Sequence, residues 1–205
     1  MIQIIAYFTM SLDHIGRLFF PNIVLFSLLG RLAFPLFAYG IAIGYTKTSN
    51  FRLYCFRLFI LGVVSQIPYF MLFENYSLNI CFTLLAGLLI LRILDIDWQY
   101  YYKILAIFLI CTVVVLFGFE YGLYGVSTII TFAKIKNLKR NVLVQAILIL
   151  ASVVIYNYSS IQFAALFSMI IILVYNNNIP FLNRYVQYCF YPAHILVLLF
   201  LKKIL

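Results

Sequence analysis

Charge is scarce in this 205-residue chain. Asp, Glu, Lys and Arg together make up 9% of it, and five residues are acidic. A soluble domain carries about 25% charged and roughly 45–50% apolar residues. Here 66% of residues are hydrophobic and the mean hydropathy is +1.11. That excess of apolar surface excludes a soluble globular fold, so the lipid bilayer must be the solvent. No polar stretch is long enough to form a second domain, so residues 1–205 are expected to form one domain. The four cysteines, Cys55, Cys81, Cys111 and Cys189, all lie in apolar runs without CxxC spacing. They read as structural thiols, and no metal site is expected. The amino end has neither a basic region nor a small-residue cleavage site, so no removable signal peptide is expected. No internal repeat is strong enough to indicate an inverted-repeat transporter. The formal net charge of +9 is spread singly or in small groups between apolar runs, so no nucleic-acid partner is expected.

A spanning helix needs about 20 apolar residues. The apolar runs predict an all-α, polytopic membrane bundle with helices near 2–20, 29–46, 51–72, 79–95, 101–118, 121–136, 140–157, 159–176 and 182–203. The breaks fall at Pro21-Asn22, residues 46–50, Glu74 to Ser77, Asp95 to Asp97, Lys134 to Arg140, and Asn176 to Asn178 before Pro180. Orientation follows from the basic residues. With the amino terminus cytoplasmic, Lys47, Arg52, Arg57, Arg92, Lys103, Lys134, Lys136, Lys139, Arg140 and Arg184 fall on the inner side. That leaves Arg17, Arg31, Lys202 and Lys203 of the fourteen on the other. A multi-pass protein of the cytoplasmic membrane is the expectation. The small residues Gly40, Ala42 and Gly44, and Ala86 and Gly87, predict close helix approaches.

Polar residues inside spans are expensive. The first helix carries Asp13, His14 and Arg17. Asp13 and Arg17 are four apart and can pair on one face, with His14 on the same side. The competing interpretation is a helix-end cluster facing lipid headgroups. The other histidine lies in Phe190-Tyr191-Pro192-Ala193-His194. Pro192 cannot donate to the Tyr188 carbonyl, so a bend is expected there, with Tyr191 and His194 facing one side. A satisfied structural histidine is the competing interpretation. Arg31, Arg57 with Ser65, Gln66 and Tyr69, and Asn79 with Thr83 are the other embedded polar groups. Arg57 also suits a positive-inside anchor, and Asn79 a helix cap.

The segments Met10 to Gly16, Arg31 to Tyr39 with Gly44, Tyr45 and Thr48, and Arg57-Leu58 with Ser65-Gln66 and Pro68-Tyr69 resemble motifs of the TraX family of conjugal-transfer membrane proteins. So do Asn79 to Leu88, Glu120 to Val126, and Phe190 to His194, in family order. Residues 130–185 carry little of the pattern. The resemblance implies an integral-membrane acyltransferase that uses acetyl-CoA to N-acetylate a pilin or another membrane or secreted peptide. On that implication His14, with an unperturbed pKa of about 6.5, is the base. Asp13 balances its charge or pairs with Arg17 or Arg31. Tyr191 and His194 donate to the oxyanion. Arg57 and Arg92 hold the donor phosphates, with Asn79 grouped beside them. Arg17, Arg31 and Glu120 are polar residues of the substrate site or its frame. A covalent acetyl-histidine is the alternative chemistry. Two other functions fit the same residues. One is a proton-coupled transporter with Asp13, His14 and His194 as a relay. The other is a non-enzymatic assembly factor whose embedded polar groups hold helices together.

Overall fold

The computed structural model describes residues 2–155, 157–175 and 183–204. The expected break at Asn176 to Asn178 and Pro180 lies outside them. Every regular element among the described residues is helical, and the single β-type contact is a parallel bridge between Leu78 and Phe119. The elements are α1 (Ile2–Phe19), α2 (Val24–Gly30), α3 (Ala33–Lys47), α4 (Phe51–Phe73), α5 (Ile80–Asp95), α6 (Tyr100–Leu116), α7 (Gly122–Lys134), α8 (Leu138–Ile155), a 3-10 segment (Ser160–Leu166), α9 (Phe167–Tyr175) and α10 (Arg184–Ile204).

Among the described residues, four stretches are long and apolar enough to cross a bilayer: Val24–Lys47, Phe51–Phe73, Leu138–Ile155 and Tyr185–Ile204. The outer surface is apolar as well. On α6 the side chains of Tyr100, Leu105, Phe108 and Leu116 are exposed, while Val114 is the one residue of that helix that is buried. A monomeric soluble protein rarely exposes so large an apolar patch.

Two expectations are corrected. The second helix does not start near 29 as a single element. It is broken at Arg31-Leu32 into α2 and α3 because Pro35 has no N–H to donate to the Arg31 carbonyl four residues back. The 159–176 segment is not uniform α-helix either. It begins as a 3-10 segment, capped by the Ser159 hydroxyl accepting from the Ile161 amide, and becomes α9 at Phe167. α10 runs through Pro192 as one helix.

Ion pairs mark the two ends of the bundle. Lys134 pairs with Asp95, and the Tyr45 hydroxyl donates to the same carboxylate at 2.7 Å, which gathers the carboxyl ends of α3, α5 and α7. At the opposite end Lys202 pairs with Glu74 at 3.1 Å and donates to the Leu72 carbonyl. Of the two carboxyl-terminal lysines that stood apart from the positive-inside count, Lys202 is therefore held by an acidic partner. At this same end the Glu120 amide donates to the Leu78 carbonyl at 2.9 Å. Three residues of the α6–α7 turn, Gly118, Tyr121 and Gly122, adopt left-handed backbone angles, which makes the turn tight enough to set Glu120 against the start of α5.

The expected close approaches exist where small residues meet bulk. A Cβ on Gly87 would lie 2.5 Å from Ile129 Cδ1, and one on Gly125 2.6 Å from Thr83 Cγ2, so α5 and α7 touch backbone to side chain. Gly40 has nothing within 4 Å of its hypothetical Cβ. Gly87→Leu is therefore expected to destabilise the bundle by about 1–3 kcal/mol through overpacking, whereas Gly40→Ala leaves it unchanged. Unfolding of the two variants in mixed detergent micelles checks this, and equal midpoints would remove the α5–α7 contact as the reason for the glycine.

Candidate functional site

α1 buries one stripe of its surface: Ile2, Ala6, Thr9, Met10, Asp13, His14 and Gly16. The spacing of about 3.6 residues is that of an amphipathic helix, but its inward face ends in charge rather than hydrocarbon. The Arg17 guanidinium meets the Asp13 carboxylate at 2.7 Å, as the four-residue spacing predicts. The Asp13 carboxyl packs straight onto Gly30, where a Cβ would lie 2.2 Å from Oδ1. Any side chain at position 30 would displace it. Arg31, next in sequence, reaches Gln162 Oε1 at 3.4 Å and lies close enough to Asp13 and Glu120 to act on both electrostatically. The Glu120 carboxylate sits beside the Ile80 amide at the first turn of α5, where the helix dipole favours an anion. Two carboxylates and two guanidiniums thus share one region, in which Asp13 is buried, Arg31 and Glu120 are half-buried and Arg17 reaches the surface.

The two histidines meet beside this cluster. His14 Nδ1 lies 2.9 Å from His194 Nε2, and the rings stack with centroids 5.0 Å apart. His194 Nδ1 lies 3.1 Å from the Phe190 carbonyl. A carbonyl only accepts, so His194 carries its proton on Nδ1 and donates it there. In its neutral form its Nε2 is then an acceptor, and His14 donates to it from Nδ1. The tautomers are assigned from these contacts. They leave the lone pair of His14 on Nε2. Phe73 stands edge-on to His14 at 4.9 Å and Phe190 stacks on His194 at 5.2 Å. The sequence expectation that His194 donates to a developing oxyanion is corrected here: both of its ring nitrogens already have partners. Its role in this geometry is to orient His14.

Two cavities lie near the pair, and His14 lines the smaller one. The larger, about 460 Å³, runs from the exposed loop residues Lys47, Ser49 and Asn50, past Arg57, to Tyr191. The smaller, about 30 Å³, is walled by Asp13, His14, Glu120, Tyr121 and Tyr191 among others. Met10, Phe37, Ile80 and Tyr191 line both, forming a neck between them. The Tyr191 hydroxyl and Asp13 Oδ1 are buried without a hydrogen-bond partner in the structure. Buried polar atoms are seldom left so, and these two face a space large enough for a small polar group.

Of the residues singled out from sequence, Asp13, His14, His194, Tyr191, Arg17, Arg31 and Glu120 are brought together. Arg57 lies apart, in the wall of the large cavity. Arg92 does not line it; its guanidinium stands 5.5 Å from the Phe51 ring centroid at the Asp95 end. Asn79 is corrected from ligand to cap. Its Oδ1 accepts from the Cys81 amide at 3.0 Å, and its Nδ2 donates to the Gly62 carbonyl and Gln66 Oε1 at 2.8 and 2.9 Å. Sequence reasoning missed Gly30, Gln162 and, in the neck, Met10, Phe37 and Ile80, but had Tyr191. Gln162, a lone amide in an apolar segment, carried a usable signal; Phe37 and Ile80 carried none.

The apolar exterior, the long hydrophobic helices and the sunken charged centre define a polytopic α-helical membrane protein with a polar site in its core. The sequence model of one family, described as TraX protein, matches residues 1–202. The chain belongs to the TraX family, and the match runs through residues 130–185, where the motifs are faint. No curated protein and no solved structure gives a match. The tautomer assignment predicts that ¹⁵N spectra of histidine-labelled protein in bilayers show both neutral rings protonated on Nδ1. A neutral His194 protonated on Nε2 would break the assigned chain of hydrogen bonds.

Proposed function

We propose that this chain is a membrane acyltransferase that moves an acetyl group from acetyl-CoA to an amine on a pilin or another membrane or secreted peptide. The observation that carries the reading is His14, paired with His194, in the wall of the small chamber that Tyr191 shares with the larger cavity. The larger cavity has cationic groups at its mouth, Lys47 and Arg57, suited to the phosphates of the donor. Its inner wall is apolar, suited to a pantetheine arm. The thioester would reach the neck at Tyr191, and the acceptor amine would approach His14 from the smaller chamber. His14 Nε2 takes a proton from the ammonium form of the acceptor, freeing the lone pair that attacks the thioester carbonyl. The Tyr191 hydroxyl, free of other partners, donates to the oxyanion. The C–S bond then breaks, and the second proton lost by the nitrogen goes to the departing sulfur, which leaves as a thiol. His194 holds His14 in the reactive tautomer and spreads the charge when His14 is protonated. Asp13, fixed by Arg17, supplies a compensating negative charge next to the ring.

The proposed topology places nine crossings in the cytoplasmic membrane. α2 and α3 count together as one, and so do the 3-10 segment and α9. The amino terminus and the Lys134–Asp95 end are cytosolic. The large cavity then opens to the compartment that holds the donor. Reporter fusions in the α7–α8 turn check the side; a periplasmic signal there would reverse the assignment.

Proteoliposomes with labelled acetyl-CoA and acceptor peptides carrying a free amino terminus test the activity. His14→Ala is expected to lower the rate by about 10²-fold or more. Arg57→Ala is expected to raise KM for the donor with little change in kcat, as lost ground-state binding does. Failure of the intact protein to transfer label to any candidate peptide, with proton-driven solute uptake instead, would favour the transport alternative.

A further inference from the structure

Gly40 is an anomaly in α3. A glycine inside a helix weakens it, and the usual compensation is a close approach of another helix. Gly87 and Gly125 have that approach, but nothing lies within 4 Å of where a Cβ on Gly40 would stand. What Gly40 faces is the larger cavity. The wall of that cavity includes one stripe of α3, made by Phe37, Gly40, Gly44 and Lys47, at the steps of three and four residues that one helix face requires. At 1.5 Å per residue the stripe runs for about 15 Å, from the mouth to the neck. Two aromatic contacts bracket its middle. At Gly44 the Tyr54 hydroxyl already stands 2.7 Å from the position of a Cβ. At Phe37 the ring packs on Tyr7 with centroids 5.3 Å apart. Between these contacts the missing side chain of residue 40 leaves the cavity open.

The two ends of the cavity indicate what the open section accommodates. The mouth carries Lys47 and Arg57, which attract an anionic group. The deep end carries the Tyr191 hydroxyl, buried and without a hydrogen-bond partner, although buried polar atoms are seldom left so. A ligand that answers both ends is elongated, with an anionic head, a slender middle and a carbonyl at its tip. We propose that Gly40 sets the bore of the donor cavity, keeping it open for the unbranched pantetheine arm of acetyl-CoA to carry its thioester carbonyl to Tyr191. This rests on the acyltransferase reading. Gly40 touches no reacting atom in this arrangement. It is a specificity-determining residue, acting on which donors pass rather than on the bonds made and broken. A larger side chain at position 40 would extend from an unobstructed Cβ into the path of the arm. Size at this position therefore acts on binding, whereas at Gly87 it acts on the fold.

Cys81 lines the same cavity and is otherwise buried, so its thiol reports passage along the bore without any transfer reaction. The full chain is placed in lipid nanodiscs with Cys55, Cys111 and Cys189 replaced by serine. The anionic thiol reagent p-chloromercuribenzenesulfonate is then expected to modify Cys81. Gly40→Ala is expected to slow that modification and Gly40→Leu to slow it several-fold further, with both variants unfolding at the parent's midpoint. A Cys81 that does not react, or reacts equally fast in the parent and in Gly40→Leu, would overturn the proposal. So would a Gly40→Leu chain that does not fold, because its side chain would then be meeting neighbours and not open space. In acetyl transfer, Gly40→Leu is expected to lower kcat/KM for acetyl-CoA by about 10-fold or more, through KM, and to leave KM for the acceptor as it was. An unchanged KM for acetyl-CoA removes the role in donor selection. Coenzyme A without an acyl group is expected to protect Cys81 in the parent. If the intact protein transfers no acetyl group and coenzyme A gives no protection, the acyltransferase reading fails on its own account, while the size series at position 40 still decides whether that residue sets the bore.

Discussion

A carboxylate placed inside an apolar bundle has to be neutralised where it stands, and Asp13 sets the arrangement around it. The charge cannot be hydrated by lipid, so it draws Arg17 from one helical turn away and sits within reach of Arg31. It also needs room, which Gly30 supplies by having no side chain. The Asp13 carboxyl packed on Gly30 sets α1 against α2, and the adjacent residue, His14, faces the interior. Glu120 joins from the α6–α7 turn, held by the Leu78 bridge. The charged cluster is thus a meeting point for segments far apart in the chain, and the helices around it are positioned by the need to compensate its charges. An ion pair with one buried and one exposed partner gives little net stability. Its value here is the geometry that it imposes on its neighbours.

The imidazole contact depends on that geometry. Residues 14 and 194 share a hydrogen bond of 2.9 Å, and the Phe190 carbonyl sets the direction in which protons point along it. Histidine has two nitrogens with opposite roles in the neutral ring. Fixing one of them on a backbone carbonyl of α10 decides the state of a ring on α1. The polar chain is local to the core, while the exterior of the same helices remains hydrocarbon.

Much of the scaffold was readable in the primary structure. Apolar runs separated by Asn, Pro and Lys located most of the helices to within a few residues, α2 and the 3-10 segment excepted, because lipid allows few alternatives to a closed helix. The Asp13–Arg17 pair followed from its spacing, and the glycine contact at Gly87 from residue size. Other features were not legible because they depend on what lies opposite. Asn79 has the same chemistry as a ligand or a cap, and only the position of Gln66 and the Gly62 carbonyl shows that its groups are spent. His194 looked like a donor until the Phe190 carbonyl claimed its proton. The neck is made by Met10, Phe37 and Ile80, ordinary apolar residues whose importance lies in where three helices bring them. Gln162 stood in a stretch with faint family pattern, yet it meets Arg31 across 131 positions.

The distance in sequence between the two imidazoles has a consequence for biogenesis. A ribosome threads the helices into the bilayer in order, so Asp13, Arg17 and Gly30 are in place while α10 has still to be made. Until that last helix inserts, His14 has no neighbour to fix its tautomer, and the wall contributed by Tyr191 is missing. Nascent or truncated chains would be embedded and folded in part, but without the contact between the imidazoles. The polar site is complete only once the last of the described helices has been made.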